Sequence, residues 1–195
     1  MRNLSQILHE IRDKYTIEIV KLHNQYWKNI DLSDDVEVQK VFSELYPLLL
    51  DQIFACLTKI IKEVLEMLTK YFKIKNKVIL NVEDLLYQED NKTLFDRLFD
   101  YYITRKGQNA IYHLVRLLTT ETEYVFSGVM QDKIDIDKYD YFVVDNLDGV
   151  EDCEHNCPTP LTIFPIGAEK PPYHPDCECF WYPITKEEAE KNNLI

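Results

Sequence analysis

Cys153-Glu154-His155-Asn156-Cys157, followed seventeen residues later by His174-Pro175-Asp176-Cys177-Glu178-Cys179, is the stretch on which the fold of this 195-residue chain turns. Thiolates and imidazoles are the donors that hold zinc tetrahedrally, and two short ligand groups joined by a loop let an irregular segment fold around one ion. The intervening stretch 158–173 is rich in proline and has no long apolar run. A bound metal would account for its order. The expected donors are Cys153, Cys157, His174, Cys177 and Cys179, with His155 in reserve, and the expected ion is a structural Zn2+. Cys153, Cys157, His174 and Cys177 form the preferred set, with Cys179 packed beside it. Two other readings stand beside zinc: disulfides that cross-pair Cys153 and Cys157 with Cys177 and Cys179 in an oxidising compartment, or reduced thiols. The fifth cysteine, in Phe54-Ala55-Cys56-Leu57, reads as an ordinary core residue.

Working outward, the segment is preceded by helical patterning. Leu4, Ile7, Leu8, Ile11, Tyr15, Ile19, Leu22, Tyr26 and Trp27 recur at threes and fours, one stripe of an amphipathic helix. Its first ten residues lack the apolar core of a signal peptide, which argues against export. After a cap-rich break at Asp31-Leu32-Ser33-Asp34-Asp35 a longer stripe runs from Val38 to Phe72, with a kink or restart expected at Pro47. Asn81 can cap a helix over Val82–Gln88, Asn91 one over Thr93–Arg105, and Gly107 is a natural stop before a helix from Ala110 to Met130. The period then changes to alternation at Tyr139–Val144, ended by Asp145-Asn146-Leu147-Asp148-Gly149. Phe180-Trp181-Tyr182 reads as its partner strand, and Thr185 can cap a last helix, Lys186–Lys191. The expected class is α+β, mostly α: long N-terminal helices followed by a small zinc-stapled β module.

The formal net charge of −12 is unevenly placed. Residues 1–75 carry 11 basic and 11 acidic side chains, whereas residues 132–195 carry 5 and 15. The C-terminal module should repel a phosphate backbone, and the scattered Lys59, Lys62, Lys70, Lys73, Lys75 and Lys77 make a poor basic footprint, so weak or no direct DNA binding is expected, about 10 µM or worse. The polar faces of the long helices carry both charge signs, which suits a core or helical partner and not a membrane surface.

The order of a glycine-punctuated helix pair, Leu117-Leu118-Thr119-Thr120-Glu121-Thr122-Glu123, a strand reaching Asp145-Asn146-Leu147-Asp148-Gly149, paired cysteines and Pro171-Pro172-Tyr173-His174-Pro175-Asp176-Cys177-Glu178-Cys179 resembles the minor head or head morphogenesis proteins of tailed bacteriophages, the phage Mu protein F-like group and related phage minor capsid proteins. The resemblance covers roughly residues 90–183. Where that family has Arg-Thr-Glu, this chain has Thr119-Thr120-Glu121, with Arg116 one turn earlier; its first cysteine pair is spaced by three residues and Glu178 replaces an arginine. The resemblance implies a low-copy structural protein of the virion, in the head interior near the portal after assembly in the host cytoplasm. Implied partners are portal, major capsid or scaffolding subunits, with a role in head morphogenesis and in some members DNA packaging or delivery. It divides the chain into an N-terminal helical docking region, 1–78, and a head-protein domain, 79–195, whose zinc module spans about 139–183.

Enzyme readings fit less well. A zinc deaminase needs His-x-Glu before Pro-Cys-x-x-Cys, and a helical metalloprotease needs a second histidine that His9-Glu10 lacks. A zinc-dependent nuclease or toxin-like enzyme is the serious alternative, but the donors suffice to close the zinc shell, whereas catalytic zinc keeps a position open. A regulatory zinc-binding adaptor of a cell is a third class. Asp145 and Asp148 could hold a hard cation, although a strand-ending turn explains them more simply. Glu121 and Glu123 are expected to be exposed or salt-bridged to Arg116. The expected protein is therefore no enzyme.

Overall fold

A computed structural model describes residues 4–72, 82, 86, 92–146, 157–159, 161–173, 177 and 179–195. The first stripe forms helix α1, Leu4–Trp27, and the second forms helix α2, Asp35–Phe72. Between them Asp34 caps α2, its Oδ1 accepting from the amides of Val36 at 2.9 Å and Glu37 at 3.1 Å, which satisfies donors that have no partner within the first turn. Helix α2 continues through Pro47 without restarting. The expected helix over Val82–Gln88 falls almost wholly outside the described residues, as does the boundary between the two expected regions. No described helix is long and apolar enough to cross a membrane.

Helix α3, Leu94–Phe99, is started by Thr93, not Asn91: Thr93 and Asp96 make a reciprocal capping box. It widens into a π-helical turn, Asp100–Thr104, and a tight turn leads into helix α4, Ala110–Lys133. Gly107 adopts φ +68° there. A Cβ at that position would stand 2.0 Å from Nε1 of Trp27, so glycine is required both by the backbone and by the indole pressed against it. Lys106 ties the turn to the α1–α2 connection, donating to the Leu32 carbonyl at 3.0 Å and to Asp35 at 2.7 Å.

Helices α1, α2 and α4 pack on one another around a core that includes Leu8, Ile19, Leu45, Leu49, Ile53, Leu57, Leu114 and Leu118. Cys56 lies in it, as its sequence context suggests, and burial pushes its thiol up to about 12. The middle of α4 is enclosed on every side: Thr119, Thr120, Glu121, Thr122 and Glu123 are all buried, with Glu121 at 0% and Glu123 at 1% exposure. This overturns the expectation that the two glutamates are exposed. Glu121 instead forms an ion pair with Arg97 of α3, itself 7% exposed. Arg116 lies along Tyr112, with its guanidinium 5.5 Å from the ring centroid. A charge so deeply buried is tolerated only with a partner, because desolvating a lone carboxylate costs several kcal/mol or more.

Three antiparallel strands complete the fold: β1, Tyr141–Asn146; β2, Thr162–Pro165; and β3, Cys179–Ile184, in the order β2-β1-β3. β1 is central, with Phe142 opposite Phe164 of β2 and Pro183 of β3. Phe142 and Val144 join the main core, whereas Val143 turns to the other face and packs with Ile184 and Ala189 beneath helix α5, Lys186–Lys191. Thr185 caps α5 in a capping box with Glu188. Phe180 meets Phe126 of α4 edge to face at 5.0 Å, which seats the sheet on the helical body. The proline-rich stretch 158–173, whose order was expected to come from a metal, is also ordered by strand pairing: four of its residues pair with β1, and Phe164 stacks on Phe142 at 5.3 Å. The class is α+β, mostly α, as expected.

Two consequences are measurable. Arg97→Met should destabilise the protein by about 3–5 kcal/mol in urea unfolding, because it removes a counter-charge from the buried Glu121, and Arg97→Met with Glu121→Met should recover most of the loss. His23 is buried on α1 with Nδ1 2.9 Å from the Tyr102 hydroxyl, and burial lowers its pKa from 6.5. Below pH 6.5 the unfolded chain therefore takes up more protons than the folded one, and stability should fall as the pH drops through that value. His23→Gln should flatten this slope in unfolding curves recorded from pH 7.5 to 5.

Candidate metal centre

The structure brings together Cys157, Cys177 and Cys179. Their sulfurs all lie within 4.8 Å of one another, and Cys157 Sγ is 3.7 Å from Cys177 Sγ. That separation is far beyond the roughly 2.05 Å of a disulfide bond. Cys157 stands at the approach to β2, Cys177 just before β3, and Cys179 is the first residue of β3, opposite Asn146. Cys177 and Cys179 are each 1% exposed, and Cys157 is half-buried, packed against the core. Three soft donors converging this closely can hold a metal ion. Cys179, expected to pack beside the site, lies within the donor group. Cys153, His155 and His174 lie outside the described residues. So does Asp148, while Asp145 falls in β1.

The electrostatics of the cluster oppose the charging of its thiols. A hydrogen bond with Cys177, burial and the neighbouring charges of Cys177 and Cys157 all push the Cys179 thiol far above its ordinary value. Burial, reinforced by the same three sulfurs, pushes the Tyr173 hydroxyl up as well. Negative charge is thus hard to accumulate here through protein groups alone. A divalent ion reverses that balance, since a coordinated thiol gives up its proton outright.

The sulfurs are held by contacts with the helical body. Ser127 of α4 donates through its hydroxyl to the Pro171 carbonyl at 2.7 Å and accepts from Trp181 Nε1 at 3.2 Å and Gln131 Nε2 at 3.0 Å. One buried hydroxyl therefore fixes the chain before Cys177 and the strand after Cys179. Lys170 lies beside the same tryptophan. Its ammonium donates to the Ile166 carbonyl at 2.6 Å and lies 5.1 Å from the Phe142 ring centroid and 5.5 Å from that of Trp181; burial lowers its pKa. Sequence reasoning missed Ser127, Lys170 and Tyr173. Ser127 alone left a trace, as a small polar residue between Phe126 and Val129 in an otherwise apolar run.

Ser127→Ala should leave the Trp181 N–H and the Pro171 carbonyl buried without this partner, at a cost of about 1–3 kcal/mol. Because both groups flank the cysteines, affinity for a Co2+ probe should fall by about tenfold or more in a chelator competition. A loss of stability with unchanged Co2+ affinity would show that Ser127 supports the fold only.

Comparison with family models, with curated proteins and with solved structures finds no match to this chain, so the centre has to be understood from its own donors.

Proposed function

We propose that Cys157, Cys177 and Cys179, with a fourth donor from Cys153, His155 or His174, form a structural zinc centre in a minor head protein of a tailed bacteriophage, where the chain acts in capsid assembly beside the portal. The observation that carries the zinc reading is the sulfur spacing. Zn–S bonds of about 2.3 Å in a tetrahedron set neighbouring sulfurs about 3.8 Å apart, and Cys157 and Cys177 are 3.7 Å apart. Four protein donors close the shell, so the ion acts as a staple between the approach to β2 and the start of β3 and not as a Lewis acid.

The head-protein reading is supported by the motif from Pro171 to Cys179 and by the order of elements before it. It is also in keeping with the charge: the acidic C-terminal module suits a protein partner better than DNA. The apolar stripes of α1 and α2 are largely buried against each other and against α4. Docking onto a portal, capsid or scaffolding subunit therefore falls to the outer faces of these helices, where Ile17 is 56% and Val36 77% exposed. Ile17→Asp and Val36→Asp should abolish co-purification with portal and capsid subunits while leaving the far-ultraviolet circular dichroism unchanged.

Protein purified under reducing conditions should contain one zinc per chain; less than about 0.2 per chain with the fold intact would overturn the zinc reading. Chelation should strip hydrogen-exchange protection from β1, β2 and β3 and leave α2 protected, since α2 is stabilised by apolar burial. Equal loss in both would contradict a local staple.

A further inference from the structure

We propose that the cysteine cluster is also a site of oxidative modification, at which a peroxide converts Cys157 and Cys177 into a disulfide and releases the bound ion. The proposal rests on the zinc reading above and adds the chemistry that would reverse it.

Accessibility selects the first atom. Cys177 and Cys179 are 1% exposed, sealed into the main core, whereas Cys157 is only half-buried. An oxidant arriving from solvent therefore meets the Cys157 sulfur before the other two. That sulfur attacks one peroxide oxygen. The O–O bond breaks, the electron pair leaves with the second oxygen as hydroxide, and Cys157 becomes a sulfenic acid.

Geometry then selects the second atom. Cys177 Sγ stands 3.7 Å from Cys157 Sγ, and its attack on the sulfenic sulfur forms the S–S bond and expels a second hydroxide. Each sulfur gives up one electron, the peroxide gains two, and the two hydroxides take protons from solvent. Cys179 is the poorer resolving group although it is also near. It is fixed in β3 by pairing with Asn146, whereas Cys177 lies outside the strand and can close the remaining distance to the roughly 2.05 Å of a disulfide. A bond between Cys177 and Cys179 would have to span a single residue, which is strained. Once two of the three thiolates are joined they no longer serve as charged donors, and the ion departs.

The test uses the intact, zinc-loaded chain treated with hydrogen peroxide, with released zinc followed by a chromogenic chelator and sulfur linkages mapped by mass spectrometry. One zinc should appear per disulfide formed, the bridge should join Cys157 to Cys177, and dithiothreitol with added zinc should restore the starting state. Dimedone present during oxidation should label Cys157 at least tenfold more than Cys177 or Cys179. A bridge between other cysteines, or overoxidation of Cys157 without a bridge, would overturn the proposal and leave the zinc reading standing. Absence of zinc from the reduced protein would overturn the zinc reading and, with it, release of an ion.

Discussion

The ion pair between Arg97 and Glu121 sets the terms for the rest of the molecule. A carboxylate at the midpoint of a helix with no exposed side at that level demands a counter-charge within the core, and Arg97 of α3 supplies one. The pair therefore fixes where α3 crosses α4, and the π-helical turn that follows carries Tyr102 to His23 and Trp27 on α1. Buried pairs of this kind add little net stability compared with apolar residues of the same volume, but an arrangement that separates them is costly. Their effect here is to penalise other packings of α3.

The cysteine centre depends on that body. The three sulfurs come from separate points along irregular chain and the start of one strand, and what holds them in register is contact with α4 through Ser127, Phe126 and Phe180. In the zinc reading, ion and helix thus stabilise the same few strands from opposite ends: one supplies coordination, the other an apolar seat with one buried hydroxyl.

Much of this was legible in the sequence because it is local. The stripes of α1 and α2, the Asp34 and Thr185 caps, the stop at Gly107 and the apolar runs of β1 and β3 follow from neighbours within a turn or a strand. What escaped was non-local. Glu121 takes its partner from 24 residues away, yet it stands three after Leu118 and four before Val125, on the apolar stripe itself; Arg97 stands likewise between Leu94 and Tyr101. Two opposite charges on two apolar stripes are the pattern a buried pair leaves. β2 was hidden because four residues ending in proline carry too little alternation to declare a strand, and pairing with β1 supplies what propensity does not. The cysteine spacing pointed to a shared centre, but the backbone alone decides that Cys179, entering β3, converges with Cys157 and Cys177.

The sheet's margins carry a further consequence. Among the described residues only β1 has a strand on both sides; β2 and β3 are the edges of the sheet. β2 is four residues long and ends at Pro165, and β3 contains Pro183, whose missing N–H must lie on its outer side for the pairing with β1 to persist. Short strands interrupted by proline are poor templates for a further strand from another molecule. At high concentration the described edges should therefore resist edge-to-edge aggregation.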